Sequence, residues 1–448
     1  MEDDFWKQVF NLALPVALQS LLYSLLAIVN QLMVGRLGEV SVVAVSLASK
    51  NFGILNFTLM GLSGGLAILA AQFMGKKKTE KIAKMQGMML FTGLLLAMFF
   101  VVISLIFPIW SMGLFTADKA VIIVGARYHR FLALGYLPFV FTVIYSTILR
   151  NAKIVKLPLF AGMAAVVLNA TLNFLLIFGI FGLPKMGVAG AGLATTISQF
   201  AEAFFLLMVV YRKHLIGAYS LRELLTFTKF DADLRLLWAL TLPLLVEMLS
   251  FILADTVDNA IYGFMGTAQT IAVTLMMPVQ GLIIAFFGGF SLACSVMVGQ
   301  ALGRDEKMLA YRTGQRILIL SFVFPLILGL LYLPFNHWYM SFYNLSDYSF
   351  RMTSILMIVM VMFLPVKVVN MVITQGILSA GGETRFVLIQ SVIGSWILAI
   401  PLGLLVAFIL HLPIYWVFVA ISLEEIFRLG LCLWKMHEKT WLVNLVES

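Results

Sequence analysis

The chain has 448 residues, of which 62% are hydrophobic and 11% are charged. Apolar runs long enough to cross a bilayer recur along its whole length, which indicates an integral membrane protein and excludes a soluble globular fold. The net charge of +9 comes from lysines and arginines in short loops between those runs, so it reflects membrane topology, and we expect no nucleic-acid partner. Cys294 and Cys432 lie inside apolar runs and offer no disulfide framework.

About twelve apolar runs of spanning length follow one another along the chain. The approximate cores of the first six are residues 9–34, 43–74, 85–107, 121–148, 157–180 and 187–211. The longest polar stretch, 214–234, comes next. The cores of the second six are residues 236–262, 269–300, 309–333, 350–378, 385–409 and 412–434. The pattern predicts an all-α integral membrane fold with an N-terminal six-helix lobe at 1–213, a cytoplasmic linker at 214–234 and a C-terminal six-helix lobe at 235–448.

Basic residues are concentrated in alternate loops, and this bias predicts the orientation of the chain. Five lysines follow the second run within residues 76–84, whereas the loop Phe335–Tyr348 contains neither lysine nor arginine. Basic loops stay in the cytoplasm, and the number of spans is even, so both termini are expected on the cytoplasmic side. We therefore expect a multi-pass protein of the cytoplasmic (inner) membrane.

The two halves of the chain are copies of each other. Leu12–Gly38 reads LALPVALQSLLYSLLAIVNQLMVGRLG and Leu240–Gly266 reads LTLPLLVEMLSFILADTVDNAIYGFMG, with Pro15 aligned to Pro243 at an offset of 228 residues. At the same offset, Gly35, Gly38, Gly61, Gln72 and Gly75 align with Gly263, Gly266, Gly289, Gln300 and Gly303. Each copy has six spans and begins on the same side, which predicts two parallel lobes related by an axis along the membrane normal.

The seventh run carries three carboxylates, Glu247, Asp255 and Asp258. A charge in the middle of a bilayer costs several kcal/mol, so an intramembrane carboxylate marks a candidate functional site. On a helix, Asp258 lies about 20° and Asp255 about 80° from Glu247, so all three fit on one side. The first copy has Gln19 where the second has Glu247, and Asn30 where it has Asp258. Only the second copy therefore carries the charge at these positions.

Several motifs in this duplicated order resemble those of the multidrug and toxic compound extrusion (MATE) family of the MOP superfamily. They are LALP…VGRLG with its echo LTLP…YGFMG, AQFMG with its echo GQALG, and GGETR after the tenth run. The resemblance covers essentially the whole chain. It implies a V-shaped pair of six-helix bundles that exports amphipathic, often cationic, compounds in exchange for H⁺ or Na⁺. It implies no enzymatic activity and no cofactor, and we expect a monomer in the bilayer.

One branch of that family binds a cation with an Asp in the first span and an Asn-x-x-x-Asp pair in the fifth. The matching positions here are Asn30 in the first run and Asn169 and Asn173 in the fifth. A neutral amide cannot take up a proton, and without charge it is a poor sole ligand for Na⁺. We therefore expect this degenerate polar site of the N-terminal lobe not to bind the coupling ion.

The other branch uses a glutamate in the seventh span, and Glu247 matches that position. Glu247 is therefore the predicted coupling carboxylate, for H⁺ or for a Na⁺ bound to its oxygens; the alternative is a carboxylate whose ion pair only ties helices together. Lys367, just after Pro365 in the tenth run, is its predicted partner. The alternative is that Lys367 extends toward the membrane interface.

The remaining intramembrane charges leave two interpretations each. Asp255 and Asp258 either form a polar path from the outer side or face water near the end of their span. Glu424 and Glu425 in the twelfth run either pair locally with Arg428 or form a second polar lining of the C-terminal lobe. Lys50 and Glu202 are isolated charges in the first half, and for Lys50 we prefer extension toward the interface.

Two other functions agree less well with the sequence than export does. A flippase for a lipid-linked oligosaccharide, of a related two-lobed fold, needs a strongly cationic cavity for pyrophosphate, whereas the central charges here are mostly acidic apart from Lys50 and Lys367. A membrane-embedded enzyme is disfavoured because the five histidines are scattered and show no metal-ligand spacing. The sequence also contains no Walker phosphate loop, so we expect that ATP does not drive the protein directly.

Overall fold

The computed structural model describes residues 2–228, 231–341, 343 and 345–446, and within these ranges the chain forms helices, turns and loops without a β-strand. Lys229 and Phe230 of the predicted linker lie outside the described residues. The rest of that linker contains a short helix, Leu221–Leu224, followed by a 3₁₀ turn, Leu225–Thr228. Ser220 caps the short helix through its hydroxyl, which accepts a hydrogen bond from the Glu223 amide at 3.3 Å.

The first half of the chain forms six long elements. They are α1 (Glu2–Gly35), α2 (Glu39–Gly75), α3 (Glu80–Ile106), the bent pair α4 (Lys119–Ala133 and Tyr136–Asn151), α5 (Lys156–Phe178) and α6 (Val188–Arg212). The two parts of α4 meet at 51°. Thr196 of α6 stabilises this bend, because its hydroxyl donates to the carbonyls of Phe131 at 2.6 Å and Leu132 at 3.3 Å.

The second half repeats this arrangement. Its elements are α7 (Ala232–Phe264), α8 (Thr267–Gly303), α9 (Lys307–Tyr332), α10 (Asp347–Gly381), α11 (Thr384–Ile409) and α12 (Ile414–Glu438). The C-terminal turns of α10 and much of α11 are wound as π-helix, at Val372–Leu378, Ile393–Ala399 and Leu405–Ile409. Such turns are rare in α-helices and occur most often near functional sites.

Among the described residues, ten helices are long and apolar enough to cross a membrane, and the bent α4 raises that number to eleven. The twelfth predicted run forms α12, which has the length of a span but is interrupted by Glu424, Glu425 and Arg428. The helices therefore occupy all twelve predicted positions, and the one that falls short of a typical apolar span does so because of its own charged side chains.

The structure follows the repeat register predicted from the sequence. Helices α2 and α8 both have 37 residues, and their first and last residues are separated by the same offset of 228 positions. Their ends approach each other reciprocally: a Cβ on Gly75 would lie 2.2 Å from the Gln300 carbonyl oxygen, and one on Gly303 would lie 2.0 Å from that of Gln72. Glycine is required at both places because the helix backbones touch there.

The chain forms two compact units. One consists of Met1–Ala17, Ala71–Lys76 and Leu242–Ser448, and the other of Leu18–Ala70 and Lys77–Thr241. The unit boundaries lie within α1, α2 and α7, so these helices contribute to both units. The division into lobes at 1–213 and 235–448 follows the sequence repeat and stays a prediction.

The core of the first unit lies between α7, α8, α10 and α12. Its buried side chains include Ile261, Tyr262, Val273, Met276, Leu356, Met360, Val417, Phe418 and Ile421. Tyr262 on α7 and Phe418 on α12 both belong to this core. The packing of α7, α10 and α12 around it brings the charged residues of these three helices into one region.

Candidate functional site

Seven charged side chains from three helices gather in the unit that contains the second half of the chain. They are Glu247, Asp255 and Asp258 on α7, Lys367 on α10, and Glu424, Glu425 and Arg428 on α12. We call this set the acidic cluster. Five of its members are acidic and two are basic, so acids exceed bases by three. Removing that much uncompensated charge from water is costly, and the cluster therefore favours binding of protons or cations.

Glu247 is buried, with 9% of its surface exposed. Its electrostatic partner is Arg428 of α12. Arg428 is already engaged, since its Nε donates to Gln390 Oε1 at 2.8 Å and its Nη1 lies 4.0 Å from Glu424 Oε1. A glutamate that shares its arginine with a second acid is only partly compensated, which is a suitable arrangement for a group that loads and releases an ion.

Lys367 forms no ion pair with Glu247 in the described structure, and their pairing stays a prediction. Its Nζ lies 5.4 Å from the centroid of the Phe418 ring, in a cation–π arrangement. Its electrostatic neighbours are Asp255, Asp258 and Glu424. The sequence singles out Lys367, but it does not show that Arg428 is the base near Glu247 in this structure.

Two carboxylate oxygens of the cluster are buried without a hydrogen-bond partner among the described residues, Asp258 Oδ1 and Glu424 Oε2. Gly394 of α11 leaves room for the latter, because a Cβ on Gly394 would lie 3.0 Å from Glu424 Oε2 and 2.9 Å from Arg428 Cδ. Buried polar atoms are normally paired. Two unpaired acceptors in an acid-rich cluster are therefore positions where an added proton or cation would find oxygen ligands.

Glu425 and Asp255 are better satisfied than these two acids. Asn370 of α10 donates from Nδ2 to Glu425 Oε2 at 2.7 Å and to the Glu425 carbonyl at 2.8 Å, which ties α10 to α12. Asn259 donates to Asp255 Oδ2 at 3.1 Å, and Asp255 is exposed at the edge of the cluster. Of the two predicted alternatives for α12, Glu424 approaches Arg428 locally, whereas Glu425 contacts another helix.

The three asparagines of the degenerate site come together in the other unit. Asn173 donates from Nδ2 to Asn30 Oδ1 at 2.6 Å and to Asn169 Oδ1 at 2.9 Å, and Asn30 donates to Asn169 Oδ1 at 3.2 Å. Thr195 of α6, which the sequence did not single out, accepts from Asn169 at 3.2 Å. The amides satisfy one another and bring no charge, and only Asn173 Oδ1 is a buried acceptor without a partner among the described residues.

A further polar group lies in the same unit and includes Glu202, which looked isolated in the sequence. Tyr23 of α1 donates its hydroxyl to Glu202 Oε1 at 2.6 Å, and Arg150 of α4 donates to Gln19 of α1 at 2.8 Å. These two hydrogen bonds join residues that lie 179 and 131 positions apart along the chain. The spacing of Gln19 and Tyr23, one helical turn apart, was the only local signal for this group.

Comparisons with known proteins identify similarity along the whole chain. A family model described as MatE matches residues 15–175 and again residues 243–405, and the two matches begin at the aligned prolines. The probable multidrug resistance protein YoeA of Bacillus subtilis is 27% identical over 98% of this chain and 96% of its own. The probable multidrug resistance protein NorM of Bradyrhizobium diazoefficiens is 26% identical over 96% and 92%.

Solved structures show the same fold. A crystal structure of MATE in complex with MaL6 superposes with a TM-score of 0.88 at 18% identity, over 97% of this chain and 96% of that one. The Vibrio cholerae MATE transporter VcmN in its bent form gives a TM-score of 0.85 at 16% identity, over 98% of this chain and 97% of that one. The predicted all-α membrane fold is thereby confirmed.

Proposed function

Because the chain belongs to the MatE family of membrane transporters, we propose that it is a secondary antiporter that exports amphipathic, cationic organic compounds in exchange for H⁺ or Na⁺. The relatives named as multidrug resistance proteins support this substrate class. We further propose that it acts as a monomer in the cytoplasmic membrane with both termini inside, as the distribution of basic loops predicts.

The observation that carries the proposal is the excess of acids over bases in the acidic cluster, together with its two unpaired carboxylate oxygens. A proton or cation entering the cluster reduces this excess. Loading therefore changes the relative free energies of conformations that expose the cluster to different degrees, which is what a coupling ion must do. We propose Glu247 as the group that loads, because its one cationic partner, Arg428, is shared with Glu424.

The excess of negative charge in the acidic cluster also accounts for the exchange of substrate for the coupling ion. A cationic substrate and a coupling ion each neutralise part of the excess, so binding of one weakens binding of the other. Asp255, Asp258 and Lys367 extend the cluster toward the edge of α7 at which Asp255 is exposed, and we propose that they form the route by which ions enter. A pyrophosphate-bearing lipid would be repelled by this surplus of carboxylates, which argues against the flippase alternative.

The N-terminal amide site has a different proposed role. Asn30, Asn169 and Asn173 hydrogen bond mainly to one another, which holds α1 and α5 together. Without a carboxylate they offer no group that takes up a proton. We propose that ion coupling does not pass through them.

The test is uptake of ethidium, a fluorescent organic cation, into proteoliposomes with an outward gradient of H⁺ or, separately, of Na⁺. We expect accumulation under at least one gradient and its loss when an ionophore collapses that gradient. Glu247→Gln should reduce accumulation to that of empty liposomes. Glu306→Gln, which removes an exposed carboxylate paired with Arg304 at 2.9 Å, is the matched control and should accumulate ethidium as the wild type does. Full gradient-driven uptake by Glu247→Gln would refute the role of Glu247.

A further inference from the structure

Four hydrogen-bonded side chains, of which Gln19 and Glu202 are buried, connect three helices of the unit that contains Leu18–Ala70 and Lys77–Thr241. We propose that their carboxylate, Glu202 on α6, is a second proton-binding site, which is loaded and unloaded in the transport cycle. The inference rests on the proposed antiport function for its role in transport, but the protonation of Glu202 is testable without transport.

Glu202 is buried, with 4% of its surface exposed, on α6, where Ser198 and Gln199 lie one helical turn before it. Its Oε1 accepts a hydrogen bond of 2.6 Å from the hydroxyl of Tyr23 on α1. That hydroxyl in turn accepts from Gln19 Nε2 at 3.3 Å. A carboxylate that receives one neutral donor is only partly compensated for the loss of water.

Arg150 stands at the other end of the chain of hydrogen bonds. Its Nη2 donates to Gln19 Oε1 at 2.8 Å, and its Nε is buried without a partner among the described residues. No ion pair joins Arg150 to Glu202 directly in the described structure; Gln19 and Tyr23 lie between them. The two opposite charges are thus near enough to interact electrostatically but are separated by neutral groups, so each keeps unmet bonding capacity.

The geometry around Gly162 of α5 shows that the four hydrogen-bonded side chains depend on how closely α1 packs against α5. A Cβ at Gly162 would lie 2.8 Å from the Tyr23 hydroxyl oxygen and 2.9 Å from Gln19 Nε2. Gln19 Nε2 also donates to the carbonyl of Pro158, at the start of α5, at 3.0 Å. The polar side chains of α1 therefore reach α5 only because glycine occupies this position, and the group connects α1 to α4, α5 and α6.

A proton is the ligand that suits this site. A metal cation placed beside Glu202 would be repelled by the Arg150 guanidinium, whereas a proton binds to one oxygen and leaves a neutral carboxylic acid. Tyr23 and Arg150 are the ionisable groups that face Glu202 among the described residues. The Tyr23 hydroxyl rotates to accept from the acid form as readily as it donates to the carboxylate. Protonation removes the negative charge that balances Arg150 and so weakens the attachment of α1.

The position of these four side chains in the sequence repeat suggests how they serve transport. Gln19 occupies the register of Glu247, at the offset of 228 residues. The first half therefore has no acid at this register of α1 but holds one on α6, which is linked to Gln19 through Tyr23. Each half then carries one proton-binding carboxylate, on α6 in the first half and on α7 in the second.

The experiment is infrared difference spectroscopy of the full-length protein in lipid nanodiscs, titrated from mildly alkaline to mildly acidic conditions. The carbonyl stretch of newly protonated carboxyl groups is recorded for the wild type, Glu202→Gln, Glu247→Gln and the exposed control Glu306→Gln. We expect Glu202→Gln to lose one component of the band, which Glu247→Gln and Glu306→Gln retain. A difference spectrum of Glu202→Gln identical to that of the wild type would overturn the proposal.

A second variant covers the case in which Glu202→Gln fails to insert. Tyr23→Phe keeps the ring and both charges and removes only the hydroxyl. The Glu202 component should then shift in frequency, because it loses its hydrogen bond, and an unshifted spectrum counts against the site. Ethidium uptake by the wild type is measured on the same preparations: absence of ion-driven uptake would refute the antiport function while leaving the protonation of Glu202 decided by the spectra.

Discussion

Replacing Arg428 with glutamine tests whether the acidic cluster depends on this one shared cation. The side chain is 13% exposed, donates to Gln390 and lies 4.0 Å from a carboxylate oxygen of Glu424. At that distance the attraction is about 4 kcal/mol for an effective dielectric constant of about 20. Removing one member of a buried pair leaves an uncompensated charge, so we expect Arg428→Gln to lower the free energy of unfolding by about 3–5 kcal/mol.

The sign of the pH dependence follows from the remaining carboxylates. In alkaline solution Glu247 and Glu424 stay ionised without their cation, and the variant is least stable relative to the wild type. In acid they take up protons, the charge imbalance disappears, and the difference in stability decreases. The measurement is thermal unfolding of detergent-solubilised protein in mildly alkaline and mildly acidic buffer.

A second replacement separates electrostatics from lost packing. Arg428→Gln combined with Glu424→Gln removes both charges, so the double variant should recover much of the lost stability. Arg304→Gln removes an exposed arginine that pairs with Glu306 and should cost less than about 1 kcal/mol. A single variant as stable as the wild type, or a double variant no more stable than the single one, would refute the view that Arg428 compensates part of the cluster's negative charge.

Three further predictions concern contacts outside the cluster. Gly303→Ala should destabilise the protein strongly in thermal unfolding, because its Cβ would lie 2.0 Å from the Gln72 carbonyl oxygen, whereas Gly430→Ala, with no atom within 4 Å, should be tolerated. Gln72→Leu should expose the C-terminal segment to proteolysis, since the Leu445 amide loses its acceptor at 2.7 Å, at a cost of about 1–3 kcal/mol. The pKa of Glu223 is lowered by its hydrogen bonds to the capping serine. Protection of the linker helix in hydrogen exchange should therefore be present above the ordinary glutamate pKa and should decrease as the pH falls through the lowered pKa of Glu223. Glu223→Gln should remove that pH dependence.

The sequence predicts the order and positions of the helices well because apolar runs and the repeat are local patterns. The offset of 228 residues aligns Gly75 with Gly303, but only the structure shows the close approach there, because the equally repeated Gly263 has no atom within 4 Å of an added Cβ. The bend in α4 escapes this reasoning: residues 121–148 read as one apolar run, and the break at Leu134 and Gly135 is stabilised by Thr196 of another helix.

The sequence singles out the charged residues of the candidate site but does not show which of them face each other. Glu247, Asp258 and Lys367 stand out because charges are costly in an apolar run. Which base faces which acid depends on how α10 and α12 pack against α7, and no local pattern encodes that packing. Arg428 was read as a local partner of Glu424, and its position opposite Glu247 appears only in three dimensions.

The two halves differ at the register of Glu247, and the structure gives this difference a physical reason. At the register of Glu247 the first copy has an amide, Gln19, and taken alone this suggests a half without ionisable chemistry. The structure shows Gln19 instead as the link between Arg150 and the Tyr23–Glu202 pair. A glutamate at position 19 would bring a second carboxylate beside Glu202, and like charges at such distances disfavour ionisation of both. The neutral amide of Gln19 is therefore compatible with an acid on α6. Each half avoids a second carboxylate at this position: the first has its acid on α6, and the second has its acid on α7.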